Sequence, residues 1–280
     1  PLYDALHCHV RAKLNDHYGD EVVPESGTLP VHLLGNMWGQ SWSNIYDLVY
    51  TEQSKSNSVD VTKIIKDKEI NEIKMVEYAE DFFISIGFEP LPKTFWERSL
   101  FVKPRDRSVV CHASAWNLDP ANNDLRIKMC IQRNEEDFIT IHHELGHIFY
   151  YQAYNHLPTL FQGGANDGFH EAFGDLLTLS ITPDYLTQID FISEEEASLA
   201  KEDPIGLLMK QALEGIVVVP WALMLDKWRS GVFNGDIKED ELNSSWWELR
   251  KEYQGISTSE ERSEEYFDPG AKYHIPGNTP

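Results

Sequence analysis

Apolar residues recur at helical spacing over most of this chain. The segment Leu2–Tyr18 predicts an amphipathic helix whose basic face carries Arg11 and Lys13. Residues 27–30 break it, and the Trp-rich segment 37–50 predicts another short helix. In residues 71–86, Ile73, Val76, Ala79, Phe82, Phe83 and Ile86 fall on one helical face, and Gly87 supplies a stop. Phe138, Ile139, Ile141, Leu145, Ile148 and Phe149 mark a further helix. Residues 204–229 predict a long apolar helix, kinked or interrupted at Pro220, and residues 237–253 another. Only residues 108–115 and 125–132 look strand-like, and residues 54–58 read as a polar loop. The fold class is mainly α with a small antiparallel β element.

Bulk composition narrows the possibilities. With 280 residues and 41% hydrophobic content, the chain can bury a sizeable core. A net charge of −22 argues against a nucleic-acid partner, because no basic patch is available to neutralise phosphates. No apolar run approaches a membrane span, the longest being residues 215–225 with Pro220 inside it, so a membrane anchor is not expected in this chain. The chain opens on Pro1 without a signal peptide and stops at Pro280 without a helical close. Both ends read as cuts in a longer polypeptide. A disulfide between Cys111 and Cys130 would staple the two strand-like stretches and imply an oxidising compartment; reduced thiols are the alternative. Cys8 is left over as a buried or free thiol. Asn243-Ser244-Ser245 is the single glycosylation sequon, which is weak grounds for a glycoprotein.

The chemistry concentrates in His143-Glu144-Leu145-Gly146-His147 and the later Gly168-Phe169-His170-Glu171-Ala172. Positions i and i+4 share a helix face, so His143 and His147 can grip one Zn²⁺. Glu144 then sits beside the metal as a general base for an attacking water. Glu171, on a following helix, completes a His₂Glu set with one coordination position left open. Asn166 or Asp167 suits the N-cap of that helix, after a Gly-rich loop over residues 162–168. Asp175, four residues after Glu171, either accepts the outer ring N–H of a ligand histidine or is an ordinary surface carboxylate.

These motifs, together with Cys111-His112-Ala113-Ser114-Ala115-Trp116, Trp246-Trp247-Glu248-Leu249-Arg250 and Asp268-Pro269-Gly270-Ala271-Lys272-Tyr273-His274, resemble the angiotensin-converting-enzyme family of zinc peptidyl-dipeptidases, which are gluzincins. The resemblance runs end to end, in the family's order. It implies a large helical peptidase domain with the β element near the active site, an extracellular location (secreted or as a cell-surface ectodomain), and release of C-terminal dipeptides from oligopeptides with a free C-terminal carboxylate. It further implies that Gln40 and Lys272 hold that carboxylate, that His112 and Ala113 bond the substrate backbone as an edge strand, and that Glu136 lines a distal subsite. His274 would donate to the substrate carbonyl, with Trp246 and Arg250 in a chloride site. A single-residue carboxypeptidase relative carries arginine where Gln40 stands and Pro-Thr where Ala113-Ser114 stand, so dipeptide release is favoured.

The family's domain is roughly twice this length, so residues 1–280 are expected to be part of one catalytic domain, truncated at both ends. Its oxyanion tyrosine would fall beyond Pro280, and losing one such donor costs about 10²–10³-fold in turnover. The polypeptide as written is therefore expected to bind zinc but to turn over feebly or not at all. The rival readings are another HExxH peptidase, such as an oligopeptidase or aminopeptidase, and a catalytically inactive zinc-binding receptor or scaffold.

Overall fold

The computed structural model describes residues 1–25, 27–50 and 59–276, with Asp167 described through its backbone alone. The expected loop at 54–58 and the chain end at 277–280 lie outside the described residues. Two compact units result: residues 1–58 with 199–279, and residues 59–198. Both are mainly helical, as the periodicity implies.

In the first unit, Leu2–Tyr18 is one helix that buries Leu6, Val10 and Leu14 along a single stripe, in a core with Trp42, Leu213 and Val217. The helix expected over residues 37–50 shrinks to a 3₁₀ turn, Ser43–Ile45, and one helical turn, Tyr46–Val49. Upstream, Gly35 and Gly39 take positive φ of 83° and 58°, and the Trp42 indole donates to the Gly39 carbonyl at 3.2 Å. Glycine turn chemistry there outweighs the apolar pattern.

The long apolar helix forms as Pro204–Gln211, a π turn Ala212–Ile216, and Val217–Asn234. The expected irregularity at Pro220 lies one turn earlier. The proline ring would meet the carbonyl four residues back, on Ile216, and the widened turn ending at that residue relieves the clash. The helix also runs past Arg229, to stop at Asn234 where Gly235 adopts a left-handed cap. By length and composition, Pro204–Asn234 is apolar enough to cross a membrane, with mean hydropathy 1.4 over its most apolar window. That overturns the expectation that no stretch reaches that length. Leu213, Val217, Trp221, Met224 and Trp228 are buried on one stripe, whereas Ile205, Leu208, Val218, Val219 and Leu223 are exposed. The predicted helix at 237–253 forms as Leu242–Leu249 followed by a π turn, Arg250–Gln254. Asn243 is fully buried, its amide donating to the Ser263 carbonyl at 3.1 Å. The sequon is therefore closed to glycosylation in the folded chain.

The second unit is organised around the helix Glu135–Tyr154, hereafter the motif helix. Helix Glu72–Ser85, capped by Asn71, lays Met75, Val76 and Ala79 into a shared core with Phe138, Ile141 and Leu145. Phe83 stacks on Phe149 with ring centroids 4.3 Å apart. Each such fully buried side chain contributes about 1.5–3 kcal/mol. The antiparallel hairpin comprises Ser114–Asp119 and Asp124–Lys128, not the expected 108–115 and 125–132. Turn chemistry sets this register: Asp119 accepts from the Asn122 amide and Asn123 sits at φ 51°. Val110, read as strand, is 56% exposed and has no core to face.

Cys111 and Cys130 therefore lie just outside the ladder, and they are disulfide-bonded across a separation of 19 residues. Closing a loop of that length removes about 3 kcal/mol of unfolded-state entropy. Denaturant unfolding with and without reductant is expected to show a loss of that order. Coincident curves would contradict it. Cys8 is an exposed free thiol.

Candidate metal centre

The motif helix is specified locally by its start. Asn134 caps it, accepting from the Asp137 amide at 2.8 Å, and Glu135, Glu136 and Asp137 place negative charge at the positive end of the helix dipole. A second helix, Asp167–Thr178, is capped by Asn166 and carries Glu171 and Asp175. Of the two expected caps, Asn166 takes the role.

The two helices approach closely enough to bring three ligand atoms together. The Nε2 atoms of His143 and His147 are 3.1 Å apart, and His143 Nε2 lies 3.2 Å from a Glu171 carboxylate oxygen. His147 Nε2 lies 3.7 Å from the other oxygen. One ligand atom from each residue fits within 4.8 Å of the others. Ligands about 2.0–2.1 Å from a tetrahedral zinc ion stand roughly 3.3 Å from one another, so the donor set and its spacing suit Zn²⁺. Asp175 Oδ1 meets His143 Nδ1 at 2.9 Å, and its side chain is otherwise largely exposed.

Glu144 is 6% exposed, and its Oε2 is buried without a partner. Burial raises its carboxyl to about 7; Glu171 adds to the shift and His143 opposes it. Burial alone would lower His143, but Asp175 and Glu171 outweigh it and carry the ring up to about 10. His147 is lowered to about 4 by burial. The neighbouring His142 is a structural contrast. It is fully buried, bonded to the Phe138 carbonyl and the Tyr185 hydroxyl, and faces the core instead.

The spacing leaves three features of this centre without a role. Gly146 and Gly174 meet where the helices cross: a Cβ on Gly146 would lie 2.8 Å from Gly174 Cα, and one on Gly174 would lie 2.8 Å from His143 Nδ1. Glycine inside two facing helices was the available signal. His170 is the third, reaching His147 Nδ1 at 3.3 Å.

Of the other expected site residues, Glu136 is exposed in the first turn of the motif helix, on the same face as His143 and two turns before it. His112 and Ala113 precede the strand instead of lying in it, with Ala113 packed on the core of this unit. The hairpin is held to the motif helix through Asn117 and Asn155, 2.9 Å apart. The remaining residues belong to the first unit. Lys272 Nζ donates to Gln40 Oε1 at 2.7 Å and lies 5.7 Å and 5.4 Å from the ring centroids of Trp38 and Trp221. Burial lowers Lys272 to about 8. Trp246 is fully buried with its Nε1 unpartnered. Arg250 is buried as well, donating to the Met37 and Trp38 carbonyls at 3.0 and 2.8 Å and lying 4.4 Å over the Trp247 ring. The backbone carbonyl of His274 accepts from Arg229 at 3.1 Å.

The family model for angiotensin-converting enzyme, an M2 peptidase family, matches residues 1–280. The chain belongs to the angiotensin-converting enzyme family. Against angiotensin-converting enzyme of Bos taurus it is 46% identical over 282 residues, covering 100% of this chain and 21% of the relative. The enzyme of Haematobia irritans exigua is 44% identical, with 98% of this chain and 45% of the relative covered. For Theromyzon tessulatum the identity is 42%, over 100% and 45% respectively. The chain thus spans less than half the length of these angiotensin-converting enzymes.

Proposed function

We propose that the protein containing this chain is a zinc-dependent peptidyl-dipeptidase that releases dipeptides from the free C terminus of oligopeptides. The convergence of His143, His147 and Glu171 within 4.8 Å, with the unpartnered Glu144 oxygen beside them, carries this reading. Bound there, zinc would supply Lewis acidity, bringing the pKa of a coordinated water towards neutrality and polarising the scissile carbonyl. Glu144 takes the proton from the attacking water and delivers it to the leaving amine. Asp175 holds the His143 ring by its outer nitrogen. His274 donates to the developing oxyanion, His112 and Ala113 align the substrate backbone, and Glu136 lines a distal subsite. Gln40 and Lys272 receive the terminal carboxylate, and a glutamine at position 40 in place of the carboxypeptidase relative's arginine favours dipeptide release. Support for a chloride site at Trp246 and Arg250 comes from a buried, unpartnered indole N–H and a buried guanidinium four residues apart in the chain. The Cys111–Cys130 disulfide supports an extracellular location.

The test uses the full-length polypeptide and N-blocked tripeptides with free or amidated C termini. A dipeptide product is expected, and amidation should lower kcat/KM about 10–100-fold, the worth of a charged hydrogen bond. A folded-state value for Lys272 of about 8 means that its ammonium is present below that pH and lost above it. KM for the free acid should therefore climb as pH rises through 8, and KM for the amide should not. Equal cleavage of acid and amide, or release of a single residue, would refute the reading.

A further inference from the structure

We propose that His170 is a positioning residue for the metal centre, accepting the outer N–H of His147 and passing the hydrogen bond on to Tyr154. The inference rests on the zinc reading above and adds a role for a histidine which that reading leaves idle.

The argument begins with protons. His147 turns Nε2 towards His143 and Glu171, so a metal there takes the Nε2 lone pair. Neutral imidazole carries one N–H, which must then sit on Nδ1. That nitrogen faces His170 Nδ1 at 3.3 Å. His170 Nδ1 is accordingly the bare acceptor, and its own proton lies on Nε2. Nε2 stands 3.1 Å from the Tyr154 hydroxyl, whose oxygen accepts it. Of the two proton arrangements that satisfy all three groups in sequence, this is the one that leaves His147 Nε2 free for a metal.

The surroundings hold His170 in this pose. Tyr150, Tyr151 and Tyr154 follow His147 at three, four and seven residues, so all four share a face of the motif helix. The His170 ring lies 4.5 and 4.8 Å from the Tyr150 and Tyr151 rings, centroid to centroid. The Tyr150 hydroxyl in turn accepts from the Ala165 amide at 3.1 Å, tying down the loop that leads to His170. His170 immediately precedes Glu171, so one helix would supply both the carboxylate ligand and the clamp on the second imidazole. The two ligand histidines then differ in kind: His143 is oriented by the Asp175 carboxylate, His147 by a neutral ring.

Three variants of the zinc-loaded full-length protein test this by chelator competition, with thermal melts of the metal-free forms as the control for folding. His170→Asn keeps an acceptor oxygen where Nδ1 stands and should hold zinc close to the parent affinity. His170→Gln puts its oxygen near the Nε2 position, and His170→Phe keeps the ring without nitrogen. Both should weaken zinc about 10–100-fold, the usual loss for an outer partner of a ligand histidine. Should His170→Phe fail to fold, the Asn and Gln pair decides alone. Equal zinc affinity in the Gln variant and the parent, or an Asn variant as weak as Gln, overturns the proposal while leaving the zinc reading intact. A parent protein that holds no zinc sinks both.

Discussion

Replacing Glu144 by Gln in the full-length protein is expected to cut kcat by about 10²–10⁴-fold while zinc stays bound at parent stoichiometry. Glu144 interacts electrostatically with His143 and Glu171 but is not among the three converging donors, so its loss takes away a proton acceptor and no ligand. Glutamine is nearly isosteric, so the buried pocket keeps its volume and the core packing of the motif helix is undisturbed. The substitution also replaces a buried carboxylate oxygen that has no partner with a neutral amide, which lowers the cost of burial, so the variant should be no less stable than the parent. The measurements are turnover of a blocked tripeptide and zinc content on the same preparation. Zinc lost together with activity would move Glu144 from base to ligand. Activity retained would remove it from the mechanism.

How much of this centre could be read before any coordinates depended on whether the information was local. Helical periodicity placed Leu2–Tyr18 to the residue, and it placed the helix Glu72–Ser85 with its Asn71 and Gly87 borders. The i, i+4 histidines and the later glutamate specify a ligand set by chemistry alone, and the geometry brings those three together. Local pattern failed where a competing local rule won. The Asp119 to Asn123 turn moved the hairpin, and positive-φ glycines kept residues 37–42 out of the expected helix. It was silent where the decisive fact is non-local. Gly146 and Gly174 acquire meaning only when two helices cross at them, and His170 only when its ring meets His147. Residues such as Gln40 and Lys272, 232 positions apart, are ordinary polar side chains in sequence; their 2.7 Å contact is a product of the fold of the first unit.

Gly174→Ala is expected to damage the centre from a position that touches no metal. Two effects oppose each other. Alanine in a helix interior gains about 1 kcal/mol in propensity over glycine. Against that, the new methyl carbon would sit 2.8 Å from His143 Nδ1 and 3.0 Å from the His143 carbonyl oxygen, and the latter is backbone that cannot rotate away. Overpacking at such a contact costs about 1–3 kcal/mol. The helix Asp167–Thr178 must then shift outward, or the His143 ring must turn. A shift carries Glu171 off the two imidazoles; a turned ring breaks the 2.9 Å contact with Asp175. Either way the three donors lose their common centre, and zinc affinity should fall about 10–100-fold, as when an outer partner is removed. Gly146→Ala, whose methyl would meet Gly174 Cα at 2.8 Å, should act in the same direction through the same crossing. Chelator competition and thermal melts with and without zinc provide the check. A Gly174→Ala protein with parent zinc affinity and an unchanged melting temperature would mean that the helices can part without moving the ligands. The close crossing would then not be what builds the site.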